Sequence, residues 1–447
     1  IPPTGNNVPR STVCQLHNRN DWSGPRAGFA SVVITTYETM VNDISIFSSF
    51  EWAWVICDEA HRTTGVTVSG DDESNFVRIH DPNYIHATRR LYMTATPRIF
   101  ADTAKDKAEQ YSAELVSMDD ELRYGPEFHH LGFGEAVEKG LLTDYKVLVL
   151  TVDQSLVAGP MQEQLAGPDN ELSLDDATRI VGCWNGLAKR AGAAIDGSTF
   201  TPGENPMRRA VAFAKDIASS QSVAAMFPAV VDAYRDTLDD EDSDDPADNN
   251  ADLYCSVRHV DGTYNALQRT SRINWLKGIS EPLSDNECRI LTNARCLSEG
   301  VDVPALDAVL FLHPRNSIVD VVQAVGRVMR LSEGKDYGYI ILPVAVPAEM
   351  SPSQALQDNK RFRVVWDVLN ALRSHDERFD AHVNAINLNA ADTKKLGTGT
   401  DSLMGGHVGP TTGDETETIG PGGDTTPPVD DAGFTTQLAL FSLSQWR

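Results

Sequence analysis

The 447-residue chain has no apolar run long enough to cross a bilayer, and its start lacks the charged, apolar and small-residue succession of a secretory signal. Membrane-spanning and secreted classes are therefore not expected, and the cytoplasm is the expected compartment. Cysteine is sparse: Cys14, Cys57, Cys183, Cys255, Cys288 and Cys296 fall without disulfide-framework or metal-ligand spacing, which points to buried, reduced thiols. Positive charge is short, with 38 Lys and Arg against 64 Asp and Glu and a formal net charge of −26. That balance excludes a protein that coats nucleic acid by bulk electrostatics, but not one that grips a strand in a local cleft. No repeat of fixed period is present. The sequence also nowhere reads Gly-x-x-x-x-Gly-Lys-Ser/Thr, the loop whose backbone N–H groups cradle phosphates.

What is present centres on Ile290–Arg330, ILTNARCLSEGVDVPALDAVLFLHPRNSIVDVVQAVGRVMR. It reads as a buried strand, a loop with an acid at its turn, a second strand and a helix. Gln323, Gly326, Arg327 and Arg330 recur at helical spacing and share one face, beside apolar Val322, Val325 and Val328. Two planar guanidiniums and an amide on one stripe suit phosphate. A solvated cationic face is the plainer reading of the helix alone. Upstream, Phe50–Cys57 (FEWAWVIC) reads as a strand buried in a parallel sheet, with Asp58-Glu59-Ala60-His61 at its carboxyl end. Adjacent acids in that position can hold Mg²⁺ and orient water. Leu91–Pro97 (LYMTATP) is a second apolar strand, ending in Thr94-Ala95-Thr96. In Ser31–Met40 (SVVITTYETM), Thr35, Thr36 and Tyr37 sit at a strand-to-helix junction, where phosphate contact and a simple N-cap are both open.

In this order the stretches resemble the DEAD/DEAH-box helicases and translocases of superfamily 2. Asp58–His61 is similar to their Walker B box, Thr94–Thr96 to their third motif, Arg209–Ser219 to the fourth, and Val301–Pro304 with Gln323–Arg330 to the fifth and sixth. The wording of CDEAHRTTG, LYMTATPRIF and NARCLSEGVDVPALDAV resembles the helicase cores of large bacterial single-chain, type I/III-like restriction–modification enzymes. The likeness runs from Val32 to Leu388.

That resemblance implies an α/β fold of two RecA-like parallel-sheet domains, the first N-terminally truncated, with a C-terminal helical bracket and a disordered tail. The expected divisions are 1–120 for the partial first domain, 121–145 for the interdomain connection and 146–348 for the second domain. An acidic insertion is expected at 236–252, a helical extension at 349–392 and a low-complexity tail at 393–447. The resemblance further implies ATP and Mg²⁺ as cofactors. Asp58 and Glu59 would serve the metal and the attacking water, and Gln323, Arg327, Arg330, Gly300 and Asp302 the nucleotide. His61, Thr94 and Thr96 would couple nucleotide state to movement. Thr35, Thr36, Tyr37, Thr292 and Asn293 would contact DNA. Nuclease and methyltransferase parts on the same full-length polypeptide are possible partners under this reading.

In the resembling family the phosphate-cradling loop precedes the acid box. With a chain that begins at Ile1, truncation is expected, and with it negligible ATP hydrolysis by this chain alone. Two other readings stay open: a non-catalytic DNA- or protein-binding module with a degenerate RecA-like fold, and an RNA helicase. His80, His86, His129, His130 and His313 read as ordinary, and Trp52, Trp54, Trp184, Trp275 and Trp366 as core.

Overall fold

The apolar runs pair as parallel strands. The computed structural model describes residues 11–15, 30–42, 44–68, 76–100, 102–110, 113–158, 173–190, 200, 204–238, 250–294, 303–313, 317–346, 363–376, 378 and 438–442. The chain divides into two units, Ile1–His130 and Leu131–Arg447, so the division falls inside the 121–145 stretch.

In the first unit β1 (Ser11–Gln15) pairs in parallel with β2 (Ala30–Ile34), and β3 (Glu51–Cys57) in parallel with β5 (His86–Tyr92). β4 (Gly65–Val68) and β6 (Ala113–Val116) form an antiparallel pair. A small core of Met40, Phe47, Cys57, Ala60, Ile79 and Ile85 packs against Val33 of β2, Trp52 and Val55 of β3, and Ala87 and Tyr92 of β5. The β3–β5 register sets Cys57 opposite Tyr92, which brings the acid box and the Thr-Ala-Thr loop out at the same sheet edge. Burial of β3 differs from expectation. Trp54 is 53% exposed and Ile56 60%, and the Arg89 guanidinium lies 5.3 Å over the Trp54 ring. Trp54 is therefore not core; its strand has a neighbour on one edge while its side chain faces outward.

The second unit is a seven-stranded parallel sheet in the order β13-β7-β12-β11-β8-β10-β9. Its strands are β7 (Asp144–Asp153), β8 (Arg209–Phe213), β9 (Tyr254–His259), β10 (Glu287–Asn293), β11 (Ala308–Phe311), β12 (Tyr337–Val346) and β13 (Leu438–Ser442). Strand periodicity divides β7, β8, β10, β11 and β12 between two cores. Tyr145, Val147 and Val149 of β7 join one face with helices Ala266–Lys277, Ile318–Val328 and Arg363–Arg373. Leu148, Leu150 and Val152 join the other, with helices Leu174–Leu187 and Ile217–Asp236. Trp184 and Trp275 lie inside these cores, as read from sequence.

The helix begun at Phe133 ends at Glu138, and Gly140 turns the chain at φ +66°. Beyond the helix ending at Arg373, Asp376 is buried, where Tyr145 and Arg378 donate to its carboxylate at 3.0 Å. Within the acidic insertion, 239–249 lie outside the described residues, whereas the Asn250 amide donates to Ala188 and Glu204 carbonyls. Of the 393–447 tail, expected to be disordered, Leu438–Ser442 forms the sheet's edge strand along β7, because an open edge pairs readily with an apolar run. The rest of that tail lies outside the described residues.

One glycine fixes how β12 meets the helix Ile318–Val328. A Cβ on Gly338 would stand 2.4 Å from the Val328 carbonyl oxygen, a backbone atom that cannot swing away. Gly338→Ala is expected to lower the unfolding free energy of the second unit by about 1–3 kcal/mol through this overpacking, read from urea unfolding of the wild type and variant.

Candidate functional site

Strand β3 ends at buried Cys57, and the chain then turns sharply. Asp58 is exposed and its Oδ1 accepts the Glu59 N–H at 3.0 Å. Glu59 lies in the left-handed region at φ 50°, ψ 46°, an uncommon conformation for a residue with a Cβ. Backbone ties hold this turn: Met93 N–H donates to the Cys57 carbonyl and Ala60 N–H to the Met93 carbonyl, both at 2.9 Å. From the other side, the Tyr37 hydroxyl donates to the Asp58 carbonyl at 2.7 Å.

Side chains then join the acid box to the Thr-Ala-Thr loop. His61 Nδ1 stands 3.0 Å from Thr94 Oγ1, 3.4 Å from Thr96 Oγ1 and 3.3 Å from Glu59 Oε2. The structure thus brings Glu59, His61, Thr94 and Thr96 into one cluster. Beneath it, His80 Nδ1 meets the Tyr92 hydroxyl at 2.8 Å and its Nε2 meets the Thr63 carbonyl at 3.3 Å. Burial pulls the His80 pKa down to about 4 and pushes the Cys57 thiol up to about 11.

The junction at Thr35–Tyr37 resolves toward capping. Thr36 Oγ1 accepts the Thr39 N–H at 3.1 Å, so this hydroxyl closes the first turn of the helix Tyr37–Asn42. Thr35 Oγ1 points to the Thr36 carbonyl at 3.5 Å, and Tyr37 is engaged by Asp58 as above.

In the second unit, Ser317 caps the helix Ile318–Val328 through the Asp320 N–H. Val321, Val322, Val325 and Val328 are buried, Gln323, Gly326 and Arg327 are half-buried along the helix, and Arg330, expected on the same face, lies half-buried just past its C-cap Met329. Gly300 and Asp302 lie outside the described residues.

Thr292 and Asn293 require a correction. Both are fully buried. Thr292 Oγ1 donates to the Ser220 carbonyl at 2.9 Å and the Asn293 amide to the Ala212 carbonyl at 3.2 Å. Their own carbonyls accept from Val260 and Ala214 N–H. Neither side chain is exposed to meet DNA, because β10 is an interior strand between β8 and β9. The same network carries Ser220 Oγ at 2.7 Å from His259 Nδ1, and His259 Nε2 at 2.9 Å from Asp261 Oδ2. This order of Ser, His and Asp imitates a nucleophilic triad. Its serine is fully buried and also lies 3.0 Å from Thr292 Oγ1, so the network ties the helix Ile217–Asp236 to β9 and β10 and has no nucleophile to offer.

Comparison with known proteins bears on what these elements are. A model of the SNF2-related domain matches residues 9–100, and a model of the helicase conserved C-terminal domain matches residues 233–332. These are superfamily 2 helicase domains. Among solved structures, the chain is similar to the ATP-dependent type ISP restriction–modification enzyme LlaBIII bound to DNA. Identity is 42% and TM-score 0.63, over 82% of this chain and 23% of that one. It is also similar to a nuclease-deletion mutant of the type ISP enzyme LlaGI in complex with a DNA substrate mimic, at 31% identity and TM-score 0.50, over 86% and 24% of the two chains. A protein of African swine fever virus named Probable helicase is 25% identical over 358 residues, 79% of this chain and 32% of its own. The chain therefore spans about a third of that relative and about a quarter of the two enzymes. The parallel sheet of the second unit is that of a RecA-like helicase domain.

Sequence reading of the helicase motifs missed the residues that brace them. Lys335 Nζ donates to the carbonyls of Val328 at 2.5 Å, Arg330 at 3.2 Å and Pro304 at 3.3 Å, capping the end of the arginine helix. Thr143 N–H takes the intervening Met329 carbonyl at 2.7 Å. Burial lowers the Lys335 pKa to about 8. In Ser-Glu-Gly-Lys-Asp this lysine reads as a surface charge; only the folded chain shows where it reaches. No helix among the described residues is long and apolar enough to cross a membrane.

His80 yields a pH prediction. Its folded pKa of about 4 lies below the ordinary 6.5, so the unfolded chain takes up the proton first as pH falls. The stability held by neutral His80 is complete above pH 6.5 and drains away toward pH 4. Urea midpoints at pH 7 and pH 5 should therefore lie further apart in wild type than in His80→Gln; equal spacing would contradict this account of the residue.

Proposed function

We propose that the chain is the motor core of an ATP-dependent DNA helicase or translocase, acting in restriction–modification or phage defence. The observation that carries this reading is the single His61 nitrogen shared among Glu59, Thr94 and Thr96. It makes the acid box and the Thr-Ala-Thr loop one mechanical piece, as a site that converts nucleotide chemistry into movement requires. The two similar restriction–modification enzymes, described with DNA or a DNA mimic, support DNA as the partner. Nuclease and methyltransferase parts on the same polypeptide belong to this proposal.

The residues fit part of an ATP–Mg²⁺ site. Asp58 is exposed at a strand's carboxyl end, and a hard cation that keeps most of its waters needs only one or two such carboxylates. The phosphate-cradling loop is not in this sequence. ATP would supply the phosphoanhydride whose cleavage drives movement. Asp58 would hold Mg²⁺, and Glu59 would orient the attacking water and accept its proton. Arg327 and Arg330 would neutralise charge on the triphosphate, an arginine role worth about 10³–10⁵ in rate. Gln323, Gly300 and Asp302 would complete the nucleotide contacts. His61, Thr94 and Thr96 would pass the state of the nucleotide to the rest of the unit, and backbone at Thr35–Tyr37 would meet the strand's phosphates without reading sequence.

Glu59→Gln tests this on the polypeptide as its gene encodes it. DNA-stimulated ATP hydrolysis should fall by about 10²–10⁴ with DNA affinity retained, the cost of losing a positioned base. The missing loop favours one rival, a non-catalytic binding module. A wild-type polypeptide that binds DNA and never turns over ATP would establish that rival, and stimulation by RNA alone would point to an RNA helicase.

A further inference from the structure

The Tyr37 hydroxyl holds the backbone of Asp58, the first residue of the acid box. It reaches the Asp58 carbonyl at 2.7 Å across 21 residues of sequence. Tyr37 also begins the helix Tyr37–Asn42, immediately after Thr35 and Thr36. Its ring lies 5.6 Å from Phe76, so the side chain is braced and the hydroxyl cannot wander. Burial raises its pKa, with Cys57 and Asp58 adding to the effect, so the phenol keeps its proton and remains a donor at any physiological pH. Thr35, Thr36, Tyr37 and Asp58 also line one cavity of about 620 Å³, otherwise walled by apolar side chains such as Ile34, Trp52 and Ile56. A shift of the junction therefore has a short route to Asp58 through the Tyr37 hydrogen bond.

We infer that Tyr37 is a positioning residue that transmits strand contact at Thr35–Thr36 to the carboxylate of Asp58. The inference rests on the motor reading above and adds to it a specific path. When the junction is held by a bound strand, the hydroxyl fixes the Asp58 carbonyl, and with it the strained turn through Glu59. Phenylalanine keeps the ring and its packing and removes only the donor.

The test compares ATP turnover with and without duplex DNA, in the wild-type gene-encoded polypeptide and in Tyr37→Phe. The ratio of stimulated to unstimulated turnover should fall about tenfold in the variant, the scale of one misplaced hydrogen bond near a reacting centre. A merely structural role would lower both rates together or leave both alone, and either result overturns the path. A wild type without any DNA-stimulated turnover overturns the motor reading itself, which is a separate outcome. A second measurement removes no bond: with 3-fluorotyrosine at position 37 alone, the fluorine resonance should move when duplex DNA saturates the protein. A resonance that stays put while DNA binds contradicts the path even if Tyr37→Phe fails to fold.

Discussion

The first unit depends on a turn that would not stay formed by itself. Glu59 adopts a left-handed backbone that a residue with a Cβ reaches at some cost. Bonds from three directions hold it there: Met93 on the neighbouring loop, Tyr37 on a separate helix, and His61 with the hydroxyls of Thr94 and Thr96. Each is a modest net contribution to stability, about 1 kcal/mol in the usual range. Together they define where two carboxylates point before any ligand arrives, and such preorganisation is what a reacting group needs from its scaffold.

The second unit solves a similar problem at a helix end. The last carbonyls of a helix lack partners within it and carry the negative end of its dipole. Here Val328, Met329 and Arg330 take donors from Lys335 and Thr143, which lie just before the first residues of two paired strands, β12 and β7. A buried ammonium is costly, as its lowered pKa records, and the Asp307 carboxylate opposes part of that cost while three carbonyls take the ammonium's hydrogen bonds. Gly338 allows the same strand to press on that helix end. The arginines thus extend from a helix whose C-terminal turn is fixed by backbone contacts, much as the acids sit on a turn fixed by backbone contacts in the first unit.

The legible part of this protein in its sequence was the part governed by local period and local motif. The arginine helix, the parallel strands, the Asp-Glu box at a strand end and the Thr-Ala-Thr loop all lie where their spacing places them. Illegible were properties set by the far side of the fold. Trp54 alternates like a core residue but faces outward, because nothing in its own strand says which face will be covered. Thr292 and Asn293 looked like exposed polar residues at a strand end, whereas their strand is interior and their polar atoms serve its neighbours. Lys335 and the Tyr37 hydroxyl act on carbonyls distant in sequence or hidden by a turn, and no pattern within either stretch announces the partner.

The central claim is that Glu59, His61, Thr94 and Thr96, gathered where β3 and β5 end, work as one piece in nucleotide-driven movement. A double-mutant cycle on DNA-stimulated turnover of the gene-encoded polypeptide tests it most directly, with Glu59→Gln and His61→Ala made singly and together. Groups that act on one transition state fail together, so the double variant should be about as slow as the slower single one. Costs that multiply independently in the double variant would contradict the account.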